Sequence, residues 1–175
     1  MTLVRWKRFT WELQNVPQRG SGSLPSFQIK AAAKEDERIA SEVIMNALTL
    51  DYGWGDNFRS FRQMLEAQLE AAFERPTVPV MTVRHGQRII AASVLNMEAD
   101  AETHLLSGPC VLAEYRNRGI GSALLQESLQ MLAAAGLTRA HGICLDRSSA
   151  EKFLYRKFGS VSEPYEFEPA ALVHR

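Results

Sequence analysis

Apolar positions recur at two different spacings along the chain and divide it into strands and helices. "SFQIKAA" reads as a short strand, and Lys34 to Thr49 as a helix. Ile39, Val43 and Ala47 form one face of that helix, with Ile44 and Leu48 beside them. Two glycines in "LDYGWGDN" break the pattern. A second helix runs from Phe58 to Phe73, with Phe61, Leu65 and Leu69 in line, and Pro76 follows it. "VPVMTVR" and "RIIAASVLNM" flank "HGQ" as a hairpin. "HLLSGPCVLA" is apolar but contains Gly108 and Pro109, which a regular central strand avoids, so a bulge or a split is expected there. Ser122 to Ala135 is a helix with Leu125, Leu129 and Leu132 in one stripe, flanked by Leu124 and Met131 and stopped by Gly136. "RAHGICL" is a strand. "RSSAEKFLYRKFG" is a helix with Ser148 placed to cap it. "SVSEPYEFEP" and "AALVH" read as closing strands. The order β-α-α-β-β-β-α-β-α-β predicts a mixed α/β domain around one sheet.

The stretch before that pattern differs. Residues 1–25 are basic, carry Trp6, Phe9 and Trp11, and run into the linker-like "RGSGSLPS". They read as an arm that is mobile or packs on the domain or on a second subunit, leaving 26–175 as the folded domain. They lack the continuous apolar core of a signal peptide. The 175 residues suffice for one domain with a real core. With 46% hydrophobic and 23% charged residues, the composition is that of a soluble globular chain. A formal net charge of zero argues against a nucleic-acid binder held by bulk charge. No apolar run approaches the ~18 residues of a membrane span. Cys110 and Cys144 make neither a disulfide framework nor a metal knuckle, which suggests a reducing cytoplasm. His85, His104, His141 and His174 are scattered, so no metal site is expected.

"EYRNRGIGSALL" carries the chemistry. A strand ends near Ala113 and a helix begins near Ser122. The first turn of a helix has unpartnered N–H groups and a mildly positive end. Gly119 and Gly121 leave room for a ligand, and Arg116 and Arg118 add charge nearby. Together they make a cradle for phosphate or pyrophosphate. Leu124 stands where a dinucleotide fingerprint needs a small residue, and no lysine precedes Ser122 as a Walker loop requires. On geometry alone, a tight strand-to-helix turn with surface arginines also fits.

"VLAEYRNRGIGSALL" resembles the acetyl-CoA signature of the GCN5-related N-acetyltransferases (GNAT), Arg/Gln-x-x-Gly-x-Gly/Ala, here on Arg116, Asn117, Arg118, Gly119, Ile120 and Gly121. The resemblance covers roughly residues 26 to 167 and is tightest from Val111 to Gly159. It implies a mostly antiparallel central sheet with helices on both faces and a splayed parallel strand pair. It also implies acetyl-CoA as co-substrate. Backbone amides from Asn117 to Ser122 would hold the pyrophosphate, and Pro109, Cys110 and Val111 would pair with the pantetheine arm. The next helix in the family reads Asn-x-x-Ala-x-x-Phe-Tyr and runs to Gly-Phe. Here Ser148, Glu151, Leu154 and Ser160 depart from that pattern, while Tyr155 keeps the tyrosine. The resemblance implies that Tyr155 protonates the leaving thiolate and that a backbone N–H near Val111 stabilises the oxyanion. Ser148 would take the place of the pantetheine-binding Asn.

The base that deprotonates the amine is not singled out, since Glu98, Glu102, His104, Glu114 and Asp146 all fall near the right region. A cysteine nucleophile has no base placed to activate it. Asp51, Tyr52, Trp54 and Asp56 in the first interhelix loop could form a wall for a cationic acceptor. The expected partner is thus a small-molecule or peptide amine, with a homodimer also open. The alternative to an N-acetyltransferase is a coenzyme A-binding module that has lost catalysis.

Overall fold

Two antiparallel ladders, joined at a single point, carry the fold. The structure, a computed structural model, describes residues 5–18, 24–50, 58–75 and 79–166. The first ladder has the order β2-β3-β4-β5, from Gln28–Ala31, Val80–His85, Arg88–Val94 and Cys110–Val111. The second has the order β6-β1-β7, from Arg139–Leu145, Trp6–Glu12 and Val161–Tyr165. The helices are α1 (Glu37–Thr49), α2 (Phe58–Phe73) and α3 (Ile120–Ala134).

The hairpin β3–β4 forms as its alternation predicts, and Gly86 supplies the positive φ of +61° at its turn. Its strands are buried almost throughout because helices cover both faces. On one face Leu124, Leu125, Leu129 and Leu132 of α3 pack with Val83, Ile90, Phe9 and Trp11. On the other, Ile44 of α1 and Leu65 and Leu69 of α2 pack with Val80, Ala92 and Val94.

The N-terminal stretch departs from expectation. Trp6–Glu12 is not an arm but the central strand of its ladder, paired with β6 on one side and β7 on the other. Phe9 and Trp11 are fully buried, and Trp6 and Leu13 nearly so. Each ring contributes roughly 2–3 kcal/mol by leaving water. The basic residues that suggested an arm find acids from the C-terminal third. Lys7 meets Asp146 at 3.0 Å and Glu151 at 3.2 Å, and Arg8 meets Glu163 at 2.6 Å. Such pairing is invisible in the local pattern. The linker residues 19–23, the loop 51–57 with Asp51, Tyr52, Trp54 and Asp56, Pro76, "AALVH" and His174 lie outside the described residues.

Three further expectations shift. The buried face of α1 is Ala40, Val43, Ile44 and Ala47, while Ile39 is 39% exposed. Alanines at the centre of that face let the helix lie close to β4, which a reading weighted by side-chain size misses. Helix α3 begins at Ile120, two residues before Ser122, because Gly119 takes the left-handed cap conformation at φ +77°. The last expected helix shrinks to a short segment ending in a π-helical turn, Glu151–Tyr155. Ser148 does cap it, its Oγ accepting the Glu151 N–H at 3.2 Å.

The expected single sheet is divided. Strand β5 pairs only with β4 among the described strands, and the two ladders meet at Leu105. That residue bridges antiparallel to Leu95 and parallel to Gly142. Beyond this vertex the Leu105–Val111 segment and β6 diverge, as the splayed parallel pair predicted. His104 holds the vertex. Its main-chain N–H donates to the His141 carbonyl at 2.8 Å, and its Nδ1 accepts the His141 N–H at 2.9 Å.

Candidate active site

The opening between β5 and β6 is flanked by two cavities, and Tyr155 lines both. The cleft on the α3 side measures about 630 Å³. Pro109, Cys110 and Val111 form one wall, and Asn117, Gly119, Ile120, Gly121 and Ser122 form its end. Ala150, Phe153 and Leu154 from the π-helical segment line it opposite. The main chain shapes the end of this cleft. Asn117 at φ +63° and Gly119 at φ +77° turn the loop so that it enters α3 abruptly. The first-turn N–H groups of α3 have no partner within the helix. A Cβ added at Gly121 would sit 3.7 Å from both Leu154 and Val111, so the glycine opens the floor without a backbone conformation only glycine can hold.

The motif arginines are placed differently from one another. Arg116 lines the cleft, but its guanidinium braces the walls, donating to the Val111 carbonyl at 3.2 Å and the Ala47 carbonyl at 2.9 Å. Arg118 does not line the cleft. It donates to the Glu114 carbonyl at 3.2 Å and lies 5.3 Å over the Tyr115 ring. The cation at the cradle is Lys157, whose Nζ donates to Ser122 Oγ at 2.5 Å. Nothing local in "YRKFG" distinguishes Lys157 from a solvated lysine. Its place follows only from the path of the chain after Tyr155. Ser148 lines the opposite cavity rather than the cleft.

Residues 77–159 match the family model described as "Acetyltransferase (GNAT) domain". The chain carries a GNAT domain. Solved structures agree on the fold. A GCN5-related N-acetyltransferase from Kribbella flavida aligns with TM-score 0.58 at 16% identity, over 93% of this chain and 56% of that one. A second, from Sphaerobacter thermophilus, aligns with TM-score 0.53 at 16% identity, over 92% of this chain and 49% of that one. A functionally unknown conserved protein from Staphylococcus epidermidis ATCC 12228 aligns with TM-score 0.62 at 12% identity, over 92% of this chain and 58% of that one. The chain thus spans about half to three-fifths of the length of these structures. No curated protein sequence matches it. At such identities the fold is shared, and chemistry must be argued from this GNAT domain's own residues.

Tyr155 is 2% exposed. Its ring packs edge-on against Phe9 and Trp11, with centroids 5.7 and 5.6 Å away. Burial drives its pKa well above the ordinary phenol value, with the nearby thiols of Cys144 and Cys110 adding to the rise. The hydroxyl is therefore protonated at neutral pH. It lies against Gly108, where an added Cβ would fall 2.0 Å from the oxygen. Gly108 has φ +63°, so glycine is required there for both space and conformation.

The cavity on the other side measures about 360 Å³. Trp6, Phe61, Met64, Ile143 and Leu145 give it apolar walls, and Glu98, Asp100 and Glu102 line its rim. The candidate bases separate here. Both ring nitrogens of His104 are committed, Nδ1 as above and Nε2 donating to the Glu98 carbonyl at 2.9 Å. Burial pushes its pKa down. Glu114 pairs with Arg88 at 2.9 Å and lines neither of these cavities. Asp146 pairs with Lys7. Glu98 and Glu102 alone of the five line the cavity. Glu102 accepts the Tyr165 hydroxyl at 2.5 Å. The Cys144 thiol, pushed up to about 12 chiefly by burial, is unsuited to nucleophilic attack.

Proposed function

We propose that this chain is an acetyl-CoA-dependent N-acetyltransferase in which an amine attacks the thioester directly and Tyr155 is the general acid. One observation carries this reading: the buried, protonated Tyr155 borders both the cleft behind the motif and the acid-rimmed cavity. A proton donor between the two substrates is what the transfer needs.

The residues present fit coenzyme A. The N–H groups of the first α3 turn and Lys157 would hold its pyrophosphate, and Pro109, Cys110 and Val111 would lie along its pantetheine arm. Bound there, acetyl-CoA supplies an activated acetyl thioester. Leu112 N–H bonds to Ile90 across the β4–β5 ladder at 3.0 Å. Alternation therefore turns the Val111 N–H to the open edge, where it can stabilise developing negative charge on the carbonyl oxygen. The amine nitrogen bonds to the acetyl carbon as the C–S bond breaks. Tyr155 gives its proton to the departing sulfur. Glu98 and Glu102, which line the cavity, would take the ammonium proton, directly or through water. The two buried free cysteines suit a reducing cytoplasm, and no helix among the described residues is long and apolar enough to cross a membrane.

The test is thiol release from acetyl-CoA across a panel of amines, peptides and aminoglycosides, with products checked by mass. Release with an acetyl mass gain on one acceptor supports the enzyme. Binding of acetyl-CoA with no release across the whole panel contradicts it and leaves a binding module.

A further inference from the structure

We propose that the acid-rimmed cavity takes a small monoamine bearing one apolar, ring-sized substituent, and not a polyamine, an aminoglycoside or an extended peptide. This rests on the transferase reading above.

At about 360 Å³ the cavity is at the small end of ligand sites. Its interior is a hydrophobic cluster. Trp6 and Leu145 are buried, Ile143 and Phe61 pack on them, and the Trp6 and Phe61 rings lie 5.5 Å apart. Apart from the acids, the polar side chains among the lining residues are neutral: Gln68, Asn96, Thr103, Ser107, Ser148 and Tyr155. Charge is confined to Glu98, Asp100 and Glu102, and no lysine or arginine is among the lining residues described. Arg75 approaches Glu98 at 3.6 Å with both side chains mostly exposed, so it leaves the rim net negative.

These features select by opposite criteria at once. The rim attracts a cation and disfavours anions. The walls reward an apolar group by removing it from water. A second ammonium carried among the apolar walls would lie away from the rim carboxylates and lose hydration there. An extended peptide could place no more than about one residue in that volume.

The experiment measures binding of 2-phenylethylamine, 2-phenylethanol and spermidine by calorimetry to the intact chain saturated with coenzyme A, alongside thiol release from acetyl-CoA with the same compounds. We expect 2-phenylethylamine to bind at least about tenfold tighter than either comparator, a separation of about 1.4 kcal/mol. The double substitution Glu98→Gln with Glu102→Gln, which leaves Asp100 as the rim's charge, should reduce the advantage over 2-phenylethanol at least about threefold. Equal or tighter binding of spermidine, or no binding of 2-phenylethylamine, overturns the proposal. Thiol release confined to spermidine overturns it too while sparing the transferase reading. Tight binding of 2-phenylethylamine with no release from any amine does the reverse, upholding the cavity's selectivity and contradicting the transfer.

Discussion

The end of the cleft, at Asn117–Ser122, is shaped by main chain from one continuous stretch, whereas the cavity across Tyr155 is assembled from Trp6, Phe61, Glu98 and Ile143, far apart in sequence. In the proposed reading the first would hold its ligand with amide groups and glycine space. The second would select with side-chain size and charge. A site of the first kind can persist while substrates change, because only the conformation of a short loop must be kept. A site of the second kind can be remade one side chain at a time.

That contrast predicts where substitutions act. Gly121→Glu should weaken acetyl-CoA binding at least about 100-fold, since the new carboxylate enters the anion cradle. The fold should survive, because a Cβ at Gly121 meets only ordinary contacts. Normal affinity in a folded variant would place the cradle elsewhere. Gly108→Ala comes next. Its Cβ collides with the Tyr155 hydroxyl, and the left-handed backbone adds strain, so stability should drop by roughly 1–3 kcal/mol in urea melts. Turnover should fall with it. An unchanged urea midpoint would show that Tyr155 has room to move.

The two motif arginines sharpen the comparison further. Arg116→Ala removes a brace between Val111 and Ala47 and should cost about 1–2 kcal/mol. Arg118→Ala should stay within about 0.5 kcal/mol, because that side chain lies on the surface over Tyr115. Equal losses would contradict the separate roles.

A further effect is that of pH. Burial lowers the pKa of His104 below the ordinary imidazole value, so the unfolded chain binds its proton first. The stability this neutral ring confers is complete above about pH 6.5 and is lost as pH falls below it. The slope should reach at most about 1.4 kcal/mol per pH unit from this ring. His104→Gln should flatten the decline, and an identical decline in that variant would show that His104 is not its source.

Legibility in the sequence follows the same division. The strand, loop and helix around Gly119 and Gly121 could be read directly because the determinants are neighbours. So could the β3–β4 hairpin and the Gly108 irregularity. The central strand Trp6–Glu12 could not, since its partners lie in Arg139–Leu145 and Val161–Tyr165 and its charges are answered by Asp146, Glu151 and Glu163. Lys157 and the cavity walls were hidden for the same reason. Their roles are set by which distant segments the two ladders bring together. The commitment of both His104 nitrogens likewise depends on a contact with His141 across the vertex.

The central claim is that Tyr155 delivers the proton to the leaving sulfur. The most direct measurement is turnover and acetyl-CoA affinity of Tyr155→Phe beside the unsubstituted chain, on an acceptor that the amine panel identifies. The account predicts kcat lower by at least about tenfold with the acetyl-CoA Kd within about twofold. Unchanged kcat would contradict it, because the phenyl ring preserves the packing on Phe9 and Trp11 and removes only the hydroxyl.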